Sequence, residues 1–331
     1  MSVLGRERVV VVGAGSLGTV YGAALARAGL EVQLLAREQH ARAIQARGLV
    51  TIDSFGERWE VPLRADWRPE RIEPAEIVIL LTKTPDTAAA LGSLSQLQDS
   101  VRIAVSFQNG VAKDAELAAW SGPGTVVGAV AMVGGTLEAP GHVRHTMNGP
   151  SFLGELDGTS SARVQRLAAL LEAGGLSAVV TDRILSVEWS KLVHAVPTTA
   201  LPAMTGLYLH EIFTVPELAG LYVDMVREGW GVAEACGVQL EDWGSLFPVQ
   251  SIATAPPQEA LELALAHGCR LVEAGMTEIT VSMLQSARAK RRLEVEAIQG
   301  HICREGARHD VPTPVTDLCY RVLTGMDSTY T

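Results

Sequence analysis

A chain of 331 residues can bury a large core, and its length favours two domains. Hydrophobic residues make up 47% and charged residues 19%, the balance of an ordinary globular enzyme. The formal charge of −10 argues against nucleic acid, whose phosphates an acidic surface repels. No run approaches the roughly 20 apolar residues of a membrane span, and residues 1–8 lead straight into the first strand with no room for a signal peptide. Cys236, Cys269, Cys303 and Cys319 are scattered, without Cys-x-x-Cys or paired-histidine spacing. They read as buried reduced thiols of a cytoplasmic protein with no metal site.

The apolar run Val9-Val10-Val11-Val12 ends in Gly13-Ala14-Gly15-Ser16-Leu17-Gly18, a G-x-G-x-x-G spacing. A strand, a tight turn and a helix N-terminus in that order suit a dinucleotide pyrophosphate. Gly13 permits the turn, Gly15 lets phosphate approach the backbone, and Gly18 lets the helix pack on the strand. The free N–H groups and positive dipole end of that helix then face the anion. Residues 19–28 read as a small-residue helix and 31–36 as a second strand, which completes a βαβ unit. A hairpin (49–52 with 59–61) and strands at 77–81, 102–107, 125–131 and 151–154 follow, with turns at Gly134-Gly135 and Ala139-Pro140-Gly141. Continuous apolar strands predict a mostly parallel sheet covered on both faces.

Near Thr181-Asp182 the pattern becomes helical, with segments at 184–192, 218–235, 259–273, 288–298 and 314–323 and breaks at Pro256-Pro257 and Gly275. The expected fold is α/β: a Rossmann-type doubly wound N-terminal domain (1–182) followed by an all-helical C-terminal domain (183–331).

The second strand ends Leu35-Ala36-Arg37-Glu38, where this fold reads the adenine ribose. Arg37 suits the 2′-phosphate of NADP(H). If Glu38 takes the ribose instead, NADH competes, and alternation along the chain lets only one of the two face the ligand. Lys83 and Gln108-Asn109-Gly110 follow strand ends, where open α/β sheets bind ligands. A surface cation and a left-handed turn are the bland readings of those two segments. In the helical half, Lys191 lies among apolar neighbours, where it needs a partner or a lowered pKa unless it snorkels to the surface. Glu294 shares a predicted helical face with Ile298, so an acid points to the apolar side as a site group or a structural ion-pair partner.

The glycine loop, Lys83, Gln108-Asn109-Gly110, Trp189-x-Lys191-Leu192, Ser282-Met283-Leu284-Gln285, and Glu294 with Gly300 stand in the order and approximate spacing of the ketopantoate reductases (2-dehydropantoate 2-reductases). Pro140-Gly141, Leu153-Gly154-Glu155 and Thr313-Pro314 extend this resemblance over nearly the whole chain. The resemblance implies NADPH-dependent reduction of a small 2-oxo acid, with 2-dehydropantoate as leading candidate. It implies Lys191 as the general acid and Glu294 as the group that bonds substrate oxygens and places the lysine. Gly13, Ala14, Gly15, Ser16, Leu17, Gly18, Arg37, Lys83 and Asn109 become cofactor residues; Asn109, Lys191, Thr199, Ser282 and Glu294 become substrate residues. A small-molecule carbonyl partner is expected, with no nucleic acid or membrane, and a homodimer is left open.

One departure stands out. The family usually carries asparagines four and eight residues after the lysine; here those positions are Ala195 and Thr199. Pro197 is expected to kink or break the helix. His194 and Thr198 stay near the same face, or a local gap realigns Thr199-Ala200-Leu201, and the helical stretch at 247–276 is longer than compact members need. A same-fold reductase of a different ketone or imine and a non-catalytic NADPH-binding regulator are the alternatives.

Overall fold

The computed structural model describes residues 7–244 and 248–330. Residues 1–6, on which the expectation about a signal peptide rests, and Phe247, which opens the stretch at 247–276, lie outside the described residues. The chain divides into two compact units: one runs to Gln108 and resumes over Ala112–Ile184, and the other takes Asn109–Val111 and everything from Leu185.

The first unit contains, in order, β1 (Arg8–Val12), α1 (Ser16–Arg27), β2 (Glu31–Leu35), α2 (Glu38–Arg47), β3 (Leu49–Ser54), β4 (Glu57–Pro62), β5 (Arg64–Asp66), β6 (Ile77–Leu80), α3 (Thr87–Gly92), β7 (Ile103–Ser106), α4 (Lys113–Ser121), β8 (Val126–Ala139), β9 (His142–Gly154), α5 (Ala162–Ala173) and β10 (Ala178–Val180). Strands β5-β2-β1-β6-β7-β8 lie side by side and all pair in parallel. Set aside the β3–β4 hairpin, and the spatial order is third, second, first, fourth, fifth, sixth, which is the doubly wound order. Antiparallel pairing enters at β8–β9 and β3–β4, and β9 also pairs in parallel with β3 and β10.

The continuous apolar runs have a direct physical cause. Val9, Val11, Ile77 and Ile79 point into one buried cluster with Tyr21, Ala24 and Leu25 of α1. Val10, Val12, Val78 and Leu80 point into a second cluster with Leu91, Leu94 and Leu117 on the other face. Each strand is therefore buried on both sides, so apolar residues replace alternation.

The second unit is helical: α6 (Ile184–Thr205), α7 (Leu209–Thr214), α8 (Pro216–Ala235), α9 (Val249–Thr254), α10 (Pro257–Glu273), α11 (Ser282–Arg288), α12 (Gln299–Arg308) and α13 (Pro314–Asp327). Among the described residues, no helix is long and apolar enough to cross a membrane.

Four sequence expectations need correction. Gly134-Gly135 is not a turn; it lies inside β8 at register shifts opposite Met147 and His145. A Cβ on Gly135 would sit 3.5 Å from Ser16, so the bare backbone serves close approach to the start of α1. Residues 288–298 do not form a helix: α11 ends at Arg288, and Lys290 turns the chain with φ +49°. Leu293, Glu294 and Val295 are consecutive and all buried, which a single helical face cannot achieve. Pro197 does not end α6, which runs through both Pro197 and Pro202. Finally, the cysteines are free, but only Cys319 is buried; Cys269 is exposed.

The Tyr21 hydroxyl meets Ser151 Oγ at 2.7 Å inside the first core, and its ring stacks on Phe107 at 4.2 Å. Tyr21→Phe keeps the ring but strands the serine hydroxyl, so urea unfolding should find about 1–2 kcal/mol less stability.

Candidate active site

The glycine loop turns directly off the central strand. Gly13 and Ala14 both donate their N–H groups to Leu35 O at 3.0 and 2.9 Å, which pins the loop to the end of β2. Gly13 has φ +83°, and a Cβ there would lie 2.6 Å from Thr82 Cα, so the loop packs against the chain leaving β6. A Cβ on Gly18 would fall 2.9 Å from Gly13 O and 3.2 Å from Val11 Cγ1; this glycine allows close helix–strand packing. Gly15 differs from both: nothing lies within 4 Å of its would-be Cβ. The open space above it is a cradle that a side chain would fill.

Gly15 is also the N-cap of α1, with no side-chain cap and no acid in the first turn. The first intrahelical bond is Thr19 N–H to Gly15 O, so the N–H groups of Ser16, Leu17 and Gly18 have no acceptor within the helix. With the helix dipole, donors so placed suit an anion. The Gly13 and Ala14 N–H groups belong instead to the turn itself. The residues present thus fit a dinucleotide pyrophosphate.

Arg37 is exposed at the N-cap of α2, two residues past Leu35. Glu38 beside it pairs with Arg42, whose Nη2 lies 2.7 Å from its carboxylate. Lys83 is half-buried at the N-cap of a 3₁₀ turn over Thr84–Asp86. Its loop is clamped by Gln108, which the sequence reading names within its motif without giving it a role of its own. Gln108 Nε2 donates to Thr82 O at 2.9 Å and to the hydroxyls of Thr82 and Thr87 at 3.1 and 2.8 Å. Its Oε1 accepts from Ser106 Oγ at 2.9 Å. The buried glutamine ties the ends of β6 and β7 together, and its position in the Gln108-Asn109-Gly110 motif was the only available signal.

In the second unit, Lys191 stands on α6. Residues 186–193 are all buried except Lys191, so the lysine occupies the opening in a closed stretch of helix. Around it Trp189 packs edge-on to His301 with ring centroids 5.5 Å apart, and Ser190 Oγ donates to Glu241 O at 3.1 Å. Glu294 is 6% exposed in the irregular run before α12, and Ser282 is half-buried at the first position of α11. Asn109 lies in this unit too. The adjoining Gly110, at φ +86°, comes so near Ala297 that a Cβ would lie 2.7 Å from Ala297 O. Asn109 and the Glu294 segment are therefore brought together, although nearly 190 residues of chain separate them.

Ala195 and Thr199 follow Lys191 in unbroken helical register. The Thr198 and Thr199 hydroxyls donate to the carbonyls of His194 and Ala195, each at 2.7 Å, next to the bond that Pro197 cannot make. Gln299 Nε2 braces the same turn from α12, reaching Val196 O at 2.8 Å and Thr199 Oγ1 at 2.9 Å. The Thr199 hydroxyl thus donates to Ala195 O and accepts from Gln299 Nε2. His194 on the same turn has its Nδ1 3.1 Å from the Tyr222 hydroxyl, and burial, with His267 nearby, lowers its pKa to about 3. Among the described residues, Cys236, Glu305 and His309 form a convergence of metal-ligand types, but the Arg308 guanidinium already holds the Glu305 carboxylate at 2.8 Å.

Comparison with known proteins places this geometry. The family profile "Ketopantoate reductase PanE/ApbA" matches residues 9–158, and its C-terminal counterpart matches 183–327. A 2-dehydropantoate 2-reductase of Mesorhizobium japonicum is 30% identical over 94% of this chain and 94% of its own. The crystal structure of a PanE/ApbA family ketopantoate reductase from Ralstonia eutropha JMP134 superposes with a TM-score of 0.81 at 26% identity, covering 97% of this chain and 98% of that one. D-mandelate dehydrogenase, solved with NADH and anilino(oxo)acetate, has the same fold at 21% identity and a TM-score of 0.83, covering 97% and 99%.

The glycines separate a packed position from an open one. Gly13→Ala forces a Cβ into the Thr82 backbone at positive φ and should cost about 2 kcal/mol or more in chemical denaturation. Gly15→Ala should stay within about 1 kcal/mol of wild type in the same measurement.

Proposed function

The chain belongs to the ketopantoate reductase family of nicotinamide-dependent oxidoreductases, and on that premise we propose that it is an NADPH-dependent reductase of a small 2-oxo acid, with 2-dehydropantoate as the leading substrate. The observation that carries the reading is the placement of Lys191, the single unburied residue in an otherwise closed stretch of α6.

Ser16, Leu17 and Gly18 would hold the pyrophosphate through backbone N–H groups, and Arg37 would pair with the 2′-phosphate as a charge-assisted contact. Lys83 and Asn109 would line the nicotinamide side. When bound, the reduced nicotinamide supplies the hydride. The protein's part is to manage the oxygen that gains charge. Lys191 donates its Nζ proton to the carbonyl oxygen as the alkoxide develops, which both stabilises the charge and completes the alcohol. Glu294, on a stretch braced through Gln299, accepts hydrogen bonds from substrate oxygens and orients the lysine, and Ser282 adds a hydroxyl contact.

A second reading is favoured by one specific feature. Ala195 offers no polar atom, and the Thr199 hydroxyl is taken up by Ala195 O and Gln299. A pocket without two amides leaves substrate polar groups unmatched, at about 1–3 kcal/mol each. That favours a same-fold reductase of a 2-oxo acid, ketone or imine other than 2-dehydropantoate.

NADPH oxidation across a panel of 2-oxo acids, with 2-dehydropantoate among them, distinguishes these readings. Micromolar KM and efficient turnover of 2-dehydropantoate establish the first; at least about tenfold better kcat/KM for another compound establishes the second. Absence of turnover with every carbonyl compound would leave a dinucleotide-binding regulator. Lys191→Ala should keep NADPH binding while kcat falls about 10²–10⁴-fold, the range of a positioned acid. A mutant that turns over normally removes the lysine from the mechanism. Arg37→Ala should weaken NADPH about 10- to 100-fold and leave NADH nearly unchanged, because only NADPH loses a charge-assisted bond. Equal losses for both nucleotides in a fluorescence titration refute the 2′-phosphate role.

A further inference from the structure

Thr19 on α1 and His40 on α2 are both buried and touch each other; neither figured in the reading of the sequence. Thr19 Oγ1 lies 2.5 Å from Gly15 O and 3.0 Å from His40 Nε2. On the other side of the ring, the backbone N of Gly141, in the turn between β8 and β9, lies 3.0 Å from Nδ1.

Hydrogen-bond chemistry gives this chain a direction. A peptide N–H can only donate, so Nδ1 must carry the lone pair and the ring proton sits on Nε2. The Nε2–H then donates to Thr19 Oγ1, which leaves the hydroxyl proton for the Gly15 carbonyl. Burial lowers the His40 pKa, in keeping with the neutral ring that this arrangement requires. The sequence of donors is Gly141 N–H, His40, Thr19, and it ends on Gly15.

Gly15 is the residue above which the cradle opens, and as a glycine it has little conformational preference of its own. Its carbonyl is held twice from Thr19, by the hydroxyl and by the backbone N–H at 3.1 Å. Because the peptide is planar and trans, fixing that carbonyl fixes the Ser16 N–H in the opposite direction. Ser16 N–H is the first of the helix donors that have no acceptor within α1.

We infer that His40 and Thr19 are positioning residues for dinucleotide binding: they lock the Gly15–Ser16 peptide so that the Ser16 N–H faces the pyrophosphate before the ligand arrives. The inference rests on the dinucleotide reading above. The pair acts through Gly15. Its effect is on affinity, because a donor already aimed has less ordering cost on binding.

The test is NADPH binding, followed by fluorescence titration on the full-length protein, with melting temperature and steady-state kinetics alongside. Thr19→Val removes the hydroxyl at nearly constant volume. It should raise the NADPH Kd about 5- to 15-fold, with kcat at saturating NADPH within about twofold of wild type. Thr19→Ser, which restores the hydroxyl, should recover most of that affinity. A Thr19→Val protein with wild-type Kd overturns the inference, as does a Thr19→Ser protein that loses as much affinity as the valine variant. A fall in kcat matching the rise in Kd also overturns it, since the pair would then serve the site as a whole. If Thr19→Val does not fold, His40→Asn, which keeps an acceptor for Gly141 but is too short for Thr19, is judged by the same Kd and kcat criteria. Failure of the wild-type protein to bind either NADPH or NADH refutes the dinucleotide reading itself. An unchanged Kd in the variants of a wild type that does bind refutes only the positioning role.

Discussion

The ends of β1, β2 and β6 meet at one glycine. Gly13 and Ala14 hand both N–H groups to Leu35 O, and Gly13 presses its bare α-carbon against Thr82. That contact lies where the doubly wound strand order reverses, between β1 and β6. Because the loop is held to two neighbouring strands, the start of α1 has a fixed place relative to Arg37 and Lys83. The donors at Ser16, Leu17 and Gly18 are then available for an anion, since the earlier N–H groups have been used to form the turn. Gln108 does for the following pair of strands what Leu35 O does for the first.

The second unit faces a different constraint, a long buried helix with two prolines inside it. Each proline removes a backbone donor and crowds the carbonyl four residues earlier. Beside Pro197 the neighbouring groups take side-chain partners: the Thr198 and Thr199 hydroxyls donate to His194 O and Ala195 O, and the Gln299 amide donates to Val196 O and Thr199 Oγ1. Thr199 is thereby tied both to its own helix and to α12.

Gly110 illustrates how the two halves of the sequence are interleaved. Asn109–Val111 belong with the helical unit although they follow β7 directly, and the approach to Ala297 requires a glycine at positive φ. A chain that leaves one unit for three residues and returns carries no compositional mark of doing so.

The strands of the first unit were legible because burial on both faces leaves a continuous apolar run, and the glycine loop because each glycine answers a local steric need. Lys191 was legible for a related reason: a cation among apolar neighbours stands out in any context. The burial of Glu294 was expected from a helix that does not form. Its burial comes from three consecutive residues packed inward, which periodicity cannot represent. Gly134-Gly135 in β8, the passage of α6 through Pro197, the Gln108 clamp and the Thr19–His40 chain were decided by the tertiary structure. All four depend on partners distant in the chain, namely Ser16, Gln299, Thr82 and Gly141. Local preference determined which elements form and where the glycines must be; only the folded chain determined which buried polar groups find one another, because a hydrogen bond's partner is set by three-dimensional proximity and leaves no spacing to read.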